Sequence, residues 1–128
     1  MFSVDFYRTE GGFSDVESFL FSLKEKAGSD KNARVQHKQV TRYIQLLEDH
    51  GTRLGDLITK RLEGDIWELR PGNNRILFFY FENNTFVLLH HFRKKTQKTP
   101  RREIIRAIEE MNDWRNRKDS RNERLGSL

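Results

Sequence analysis

The sequence predicts an α+β domain in which an antiparallel sheet is packed by two N-terminal helices and followed by a C-terminal helix, in the order βααβββα. Three observations carry that expectation: a period-two segment at the start, two capped amphipathic stretches between residues 14 and 51, and three aromatic, β-branched runs between residues 66 and 92 separated by turn residues. With 128 residues the chain has material for one core. We expect a single domain over residues 1–118 and a frayed tail over 119–128, DSRNERLGSL.

In residues 2–8, Phe2, Val4 and Phe6 alternate with polar neighbours, as in a half-buried strand. Ser14 suits an N-cap, Glu17 three residues later completes a capping box, and Val16, Phe19, Leu20 and Leu23 recur at helical spacing before Gly28. A second helix runs from a cap at Asp30 to about His50. Val40, Tyr43, Ile44 and Leu47 form its buried stripe, and Gly51 suits the left-handed position past its end. Three strands follow, at residues 66–70, 75–82 and 85–92, joined by Pro71-Gly72-Asn73-Asn74 and Asn83-Asn84. The middle run, RILFFYF, barely alternates, so both of its faces need cover. Pro100 opens a final helix in which Ile104, Ala107, Ile108 and Met111 share a side, reaching about Lys118.

The composition, 35% apolar and 34% charged, fits a folded chain with a heavily solvated surface. Cysteine is absent, which excludes a disulfide framework and a thiolate metal site. No signal-like or membrane-length apolar run occurs, so we expect a soluble cytoplasmic protein with no membrane partner. The net charge of +5 is unevenly spread: residues 1–92 hold 12 Lys/Arg against 13 Asp/Glu, and residues 93–128 hold 12 against 6. Residues 93–102, RKKTQKTPRR, carry six positive charges and no negative one. Such a cluster attracts a polyanion by releasing its counterions, which makes nucleic acid the leading partner class.

Glycine-rich phosphate loops, G-x-S-x-G elbows and H-E-x-x-H motifs are missing. His90 and His91 are adjacent on a strand and point to opposite faces, so they cannot grip one metal; neither a metal nor a cofactor is expected. What remains is cationic. Arg70 and Arg75 flank a four-residue turn and project to one face if their strands pair. A two-residue Asn83-Asn84 turn would bring His90, Phe92 and Lys94 to that face; a three-residue turn including Thr85 would bring His91, Arg93 and Lys95. Either set suits RNA cleavage by the ribose 2′-hydroxyl. Arg and Lys would offset the charge of the five-coordinate transition state, and a His or a Lys would move protons.

The stretches IWELRPGNNRILFFYF, VLLHHFRKKTQKTP and REIIRAIEEM are similar to the RelE/HigB-like toxins of type II toxin-antitoxin systems, in their phage-derived branch, through residues 62–112. The resemblance implies a RelE-like compact fold and a metal-independent mRNA interferase that cuts on the ribosome and inhibits translation. It implies neutralisation by a cognate helix-turn-helix antitoxin, through which the pair would contact operator DNA. By position it implies that Arg75 and Lys95 stabilise the phosphate; on the residues' own chemistry we expect Arg70, His91 and Lys94 to help, and Arg93, Lys98, Arg101 and Arg102 to hold RNA backbone. It also favours the three-residue turn. Some members use a tyrosine near the C-terminus, whereas the tyrosines here are Tyr7, Tyr43 and Tyr80, which leaves that role vacant or open to another residue such as His91 or Trp114. Two other functions fit the same features: a gyrase-inhibiting toxin like those of the ParE branch, and an RNA- or ribosome-binding module without chemistry.

Overall fold

The structure is a computed structural model that describes residues 1–126, with side chains through Lys118. Its elements are β1 (Ser3–Phe6), α1 (Asp15–Lys26), α2 (Lys31–His50), β2 (Thr59–Glu63), β3 (Ile66–Leu69), β4 (Asn74–Tyr80), β5 (Thr85–Arg93) and α3 (Arg101–Gly126). One five-stranded sheet, ordered β1-β5-β4-β3-β2, separates α1 and α2 on one face from α3 on the other. The α+β class is the expected one, with two differences. An additional edge strand, β2, pairs with β3, and β1 runs parallel to β5 in register Ser3↔Thr85 to Phe6↔Leu88, so the sheet is mixed.

The central strand β4 explains its own lack of alternation. Ile76 and Phe78 enter the core beneath α1 and α2 with Val40, Leu47 and Leu88, while Leu77 and Phe79 meet Ile66, Val87 and Ala107 under α3. Ile76, Leu77, Phe78 and Phe79 are all fully buried. Each such side chain is worth about 1.5–3 kcal/mol over its exposed state.

Local signals act largely as their chemistry requires. Ser14 Oγ accepts from the Glu17 N–H, and Asp30 Oδ1 accepts from the N–H groups of Asn32 and Ala33. The capping box is only half made: the Glu17 carboxylate pairs with Arg8 at 2.8 Å instead of returning to Ser14. Gly51 takes φ 65°, and a Cβ there would stand 2.8 Å from Phe2 Cε2, so helix exit and strand entry both need the glycine.

The β4–β5 hairpin departs from both anticipated turns. Phe81 N–H donates to Thr85 O across Glu82-Asn83-Asn84, with Asn83 and Asn84 at φ 58° and 55°. A bulge at Leu89 then shifts the register, pairing Phe78 with Leu88 but Leu77 with His90. The α3 backbone continues to Gly126, beyond the Lys118 expected; the anticipated loose tail over 119–128 otherwise lies outside the described residues. No helix among the described residues is long and apolar enough to cross a membrane.

Candidate functional site

The bulge decides which side chains face Arg75. Arg75 pairs with Phe92, so His90, Phe92 and Lys94 share its face, and the arrangement favoured by the resemblance, with His91 and Arg93 beside it, is corrected. His91 points to α1, where its ring stacks on Phe19 at 3.9 Å and its Nδ1 lies 2.5 Å from Asp15 Oδ1. His90 lies on the Arg75 face yet is fully buried, its ring nitrogens held by Glu110 at 2.5 Å and Glu103 at 3.0 Å. Neither imidazole has a free nitrogen in a cleft with Arg75.

Sequence reasoning overlooked Glu68. It projects from β3 toward α3 and is 1% exposed, with Arg70 Nε at 3.4 Å and Arg75 Nε at 3.7 Å from its Oε1. Thr99 Oγ1 donates to its other oxygen at 2.6 Å. A lone carboxylate in the apolar run IWELR, two residues before an arginine of the same strand face, is the signal that was available. Arg75 is itself 6% exposed and donates from Nη1 to the carbonyls of Gly72 (2.7 Å) and Asn74 (2.9 Å). Burial lowers its pKa below the ordinary arginine value, with Glu68 opposing and Arg70 reinforcing that shift; the guanidinium still stays charged near neutral pH. Arg70 Nη1 donates to Asp56 O at 2.7 Å.

The segment Lys94–Pro100 closes over this cluster. The space beneath it, shared by Arg75, Lys94, Lys95 and Lys98, is about 10 Å³, enough for one water at most. Beside it lies an open cleft of about 390 Å³ lined by Phe92, Arg93, Lys95, Thr96, Arg102 and Glu103, with Pro100 at its edge. Lys95 borders both spaces. The structure thus gathers Arg70, Arg75, Lys94, Lys95 and Lys98 on one side, and Arg93, Lys95 and Arg102 around the cleft. Arg101 stands apart, paired with Glu63 on the edge strand. The aromatic group in the cleft is Phe92; Trp114 packs edge-on against Phe81 instead. A cleft of this size, with three cations, one aromatic face and the Glu103 carboxylate, can take a phosphorylated ribose.

Residues 24–112, more than half of the chain, match the family model described as Phage derived protein Gp49-like (DUF891), and the chain belongs to that family. No curated protein matches it. Among solved structures it is similar to a chain of the archaeal RelE-RelB complex from Pyrococcus horikoshii OT3, with TM-score 0.49 and 13% identity over 76% of this chain and 98% of that one. It is also similar to the YoeB dimer from Staphylococcus aureus, with TM-score 0.46 and 14% identity over 74% of this chain and 97% of that one. A chain of the YoeB-YefM complex from Staphylococcus aureus aligns with TM-score 0.47 and 11% identity over 75% and 99% of the two chains.

Proposed function

We propose that this chain is the toxin of a type II toxin-antitoxin pair, acting in the cytoplasm as a metal-independent endoribonuclease on mRNA held by the ribosome. The observation that carries the reading is the cationic cleft of about 390 Å³ that shares Lys95 with the Arg75–Glu68 cluster. Membership of a phage-derived family supports it. In this reading the ribose 2′-oxygen attacks the adjacent phosphorus, the 5′-oxygen leaves, and a 2′,3′-cyclic phosphate remains. Lys95, Arg93 and Arg102 offset the added charge on the phosphorane oxygens. Glu103, backed by His90, is the carboxylate within the cleft that can accept the 2′-proton, and Lys95 can return a proton to the leaving oxygen. Arg75 reaches the phosphate once the Thr99–Glu68 hydrogen bond opens. A helix-turn-helix antitoxin would neutralise the toxin and carry the pair to operator DNA.

The closed state of Arg75 favours a second reading, an RNA-binding module without chemistry. Induction in cells separates the two. Cleavage of transcripts within codons, lost in Lys95→Ala and Arg75→Ala by on the order of a hundredfold each, supports the nuclease. Growth arrest with intact transcripts supports the binding module, and DNA-damage signalling with intact transcripts a gyrase inhibitor. If both single variants cleave at the full rate, the site is wrong.

A further inference from the structure

A second cationic surface lies outside the 93–102 segment. Lys31, Arg34, Lys38 and Arg42 recur along α2 and are all exposed. At about 100° per residue they stand opposite the buried face formed by Ala33, Val40, Ile44 and Leu47. With about 1.5 Å of rise per residue they span about 16 Å.

An ordinary solvated helix face mixes charges of both signs at i, i+4 spacing. This one does not. Among the described residues no carboxylate lies within ion-pairing distance of Lys31, Arg34, Lys38 or Arg42, whereas Arg8, Arg101, Arg106, Arg115 and Arg117 each hold one. Asp30, the nearest acid in sequence, spends its carboxylate on the helix N-terminus, and the flanking acids are Glu25 on α1 and Glu48 and Asp49 at the far end of α2.

The stripe also borders the candidate site. Lys38 and Arg42 line an open groove of about 670 Å³ with Val35, Gln39, Thr41 and Gln45, and Val35 is 54% exposed. Gln39 seals one side against the β3–β4 turn: a Cβ on Gly72 would stand 2.5 Å from its Oε1. The carbonyl of that same Gly72 accepts from Arg75. Arg93, at the cleft, reaches Gln36 on the flank of α2 at 3.1 Å. That face and the cleft are therefore two sides of one turn.

We infer that this face of α2 is a track for the phosphate backbone of RNA, taking the strand beyond the cleft. The inference rests on the endoribonuclease reading for the identity of the polyanion. Four cations without a carboxylate partner over about 16 Å, one per about 5 Å of helix axis, lie close enough to contact successive phosphates of one strand. Gln39 and Gln45 supply hydrogen bonds to phosphate and 2′-hydroxyl oxygens, Thr41, whose hydroxyl donates to His37 O, can accept from a 2′-hydroxyl, and Val35 gives a flat surface for ribose. Contacts of this kind to phosphate and ribose add affinity without sequence choice.

The test measures binding of the full chain to a short single-stranded RNA whose 2′-hydroxyls are methylated and cannot attack. Affinity is followed by fluorescence anisotropy across a salt series. The double variant Lys38→Gln/Arg42→Gln should lower the log–log salt slope by about 1.4, at about 0.7 per phosphate contact on a single strand, with an unchanged melting temperature. An unchanged slope overturns the track. If Lys95→Gln/Lys98→Gln lowers the slope in the same series, the endoribonuclease reading survives that failure; if neither double variant changes RNA binding, both fall. Polyglutamate serves as the competing probe: loss of its binding in the α2 variant, with RNA binding intact, assigns the face to an acidic protein and overturns the proposal.

Discussion

Replacing Glu68 by Gln removes the one negative charge beneath two guanidiniums while keeping the side chain's shape and an oxygen for Thr99 to donate to. Glu68 and Arg75 side chains are 2% and 8% exposed, so water cannot take over the lost partner. Removing one member of a buried pair costs about 3–5 kcal/mol, because the other charge stays buried and uncompensated. Arg75 keeps two carbonyl acceptors, which argues for the low end, about 3 kcal/mol. For a chain of this length that loss is a fall of about 10 °C in melting temperature. Circular dichroism melting at neutral pH measures it, and moderate salt should change it little because the pair is shielded from counterions. Adding Arg75→Met to Glu68→Gln should return most of the loss, since the stranded charge goes with it. A fall below about 2 °C, or no recovery in the double variant, would refute the reasoning.

Two titrations test other contacts. Burial pushes the Asp15 carboxyl up, but hydrogen bonds from the His91 ring and backbone, with the charges of His91 and Arg106, outweigh it and hold its pKa below 3.8. The unfolded chain then binds the proton first on acidification, so the stabilisation is complete above about pH 5 and is lost as pH falls through the folded value. The melting-temperature deficit of Asp15→Asn should therefore shrink between about pH 5 and pH 3; a constant deficit contradicts the assignment. The Tyr7 phenol is pushed up to about 12 by burial, then by its hydrogen bond to Asp113 and that residue's charge. Here the unfolded chain loses its proton first, so stability declines from about pH 10 upward. Tyr7→Phe should lessen that decline and remove the highest-pH component of the phenolate absorbance; an unchanged absorbance titration tells against it.

What the sequence discloses is local. Caps at Ser14 and Asp30, the glycine after α2 and the apolar stripes were readable because each acts within a few residues. Strand β2 was not, because TKRLE lies at a sheet edge where Lys60 and Arg61 face water and no apolar alternation is needed. The parallel partner of β1 was unreadable for a different reason: pairing direction is set by where the chain returns, not by its own residues. The bulge at Leu89 was equally silent, since leucine and a paired histidine both fit the buried face under α3. Its effect on the site was large, because one extra residue turned His91 away from Arg75 toward α1 and left Arg93 to border the cleft from the end of its strand while bonded to Gln36. The basic face of α2 was hidden by bookkeeping along the chain: acids elsewhere in residues 1–92 cancel it in the sum, although folding keeps them apart.

The pairing of β1 with β5 fixes the order in which this molecule can mature on the ribosome. Ser3 meets a partner roughly eighty positions later, and at about 5–20 residues per second it waits for several seconds without one. Meanwhile the helical hairpin that follows it has no sheet to lie on. The basic segment emerges directly behind β5, so final closure of the architecture and arrival of its cations coincide. A nascent chain interrupted before Thr85 therefore has neither a home for its first strand nor the charges beyond its last.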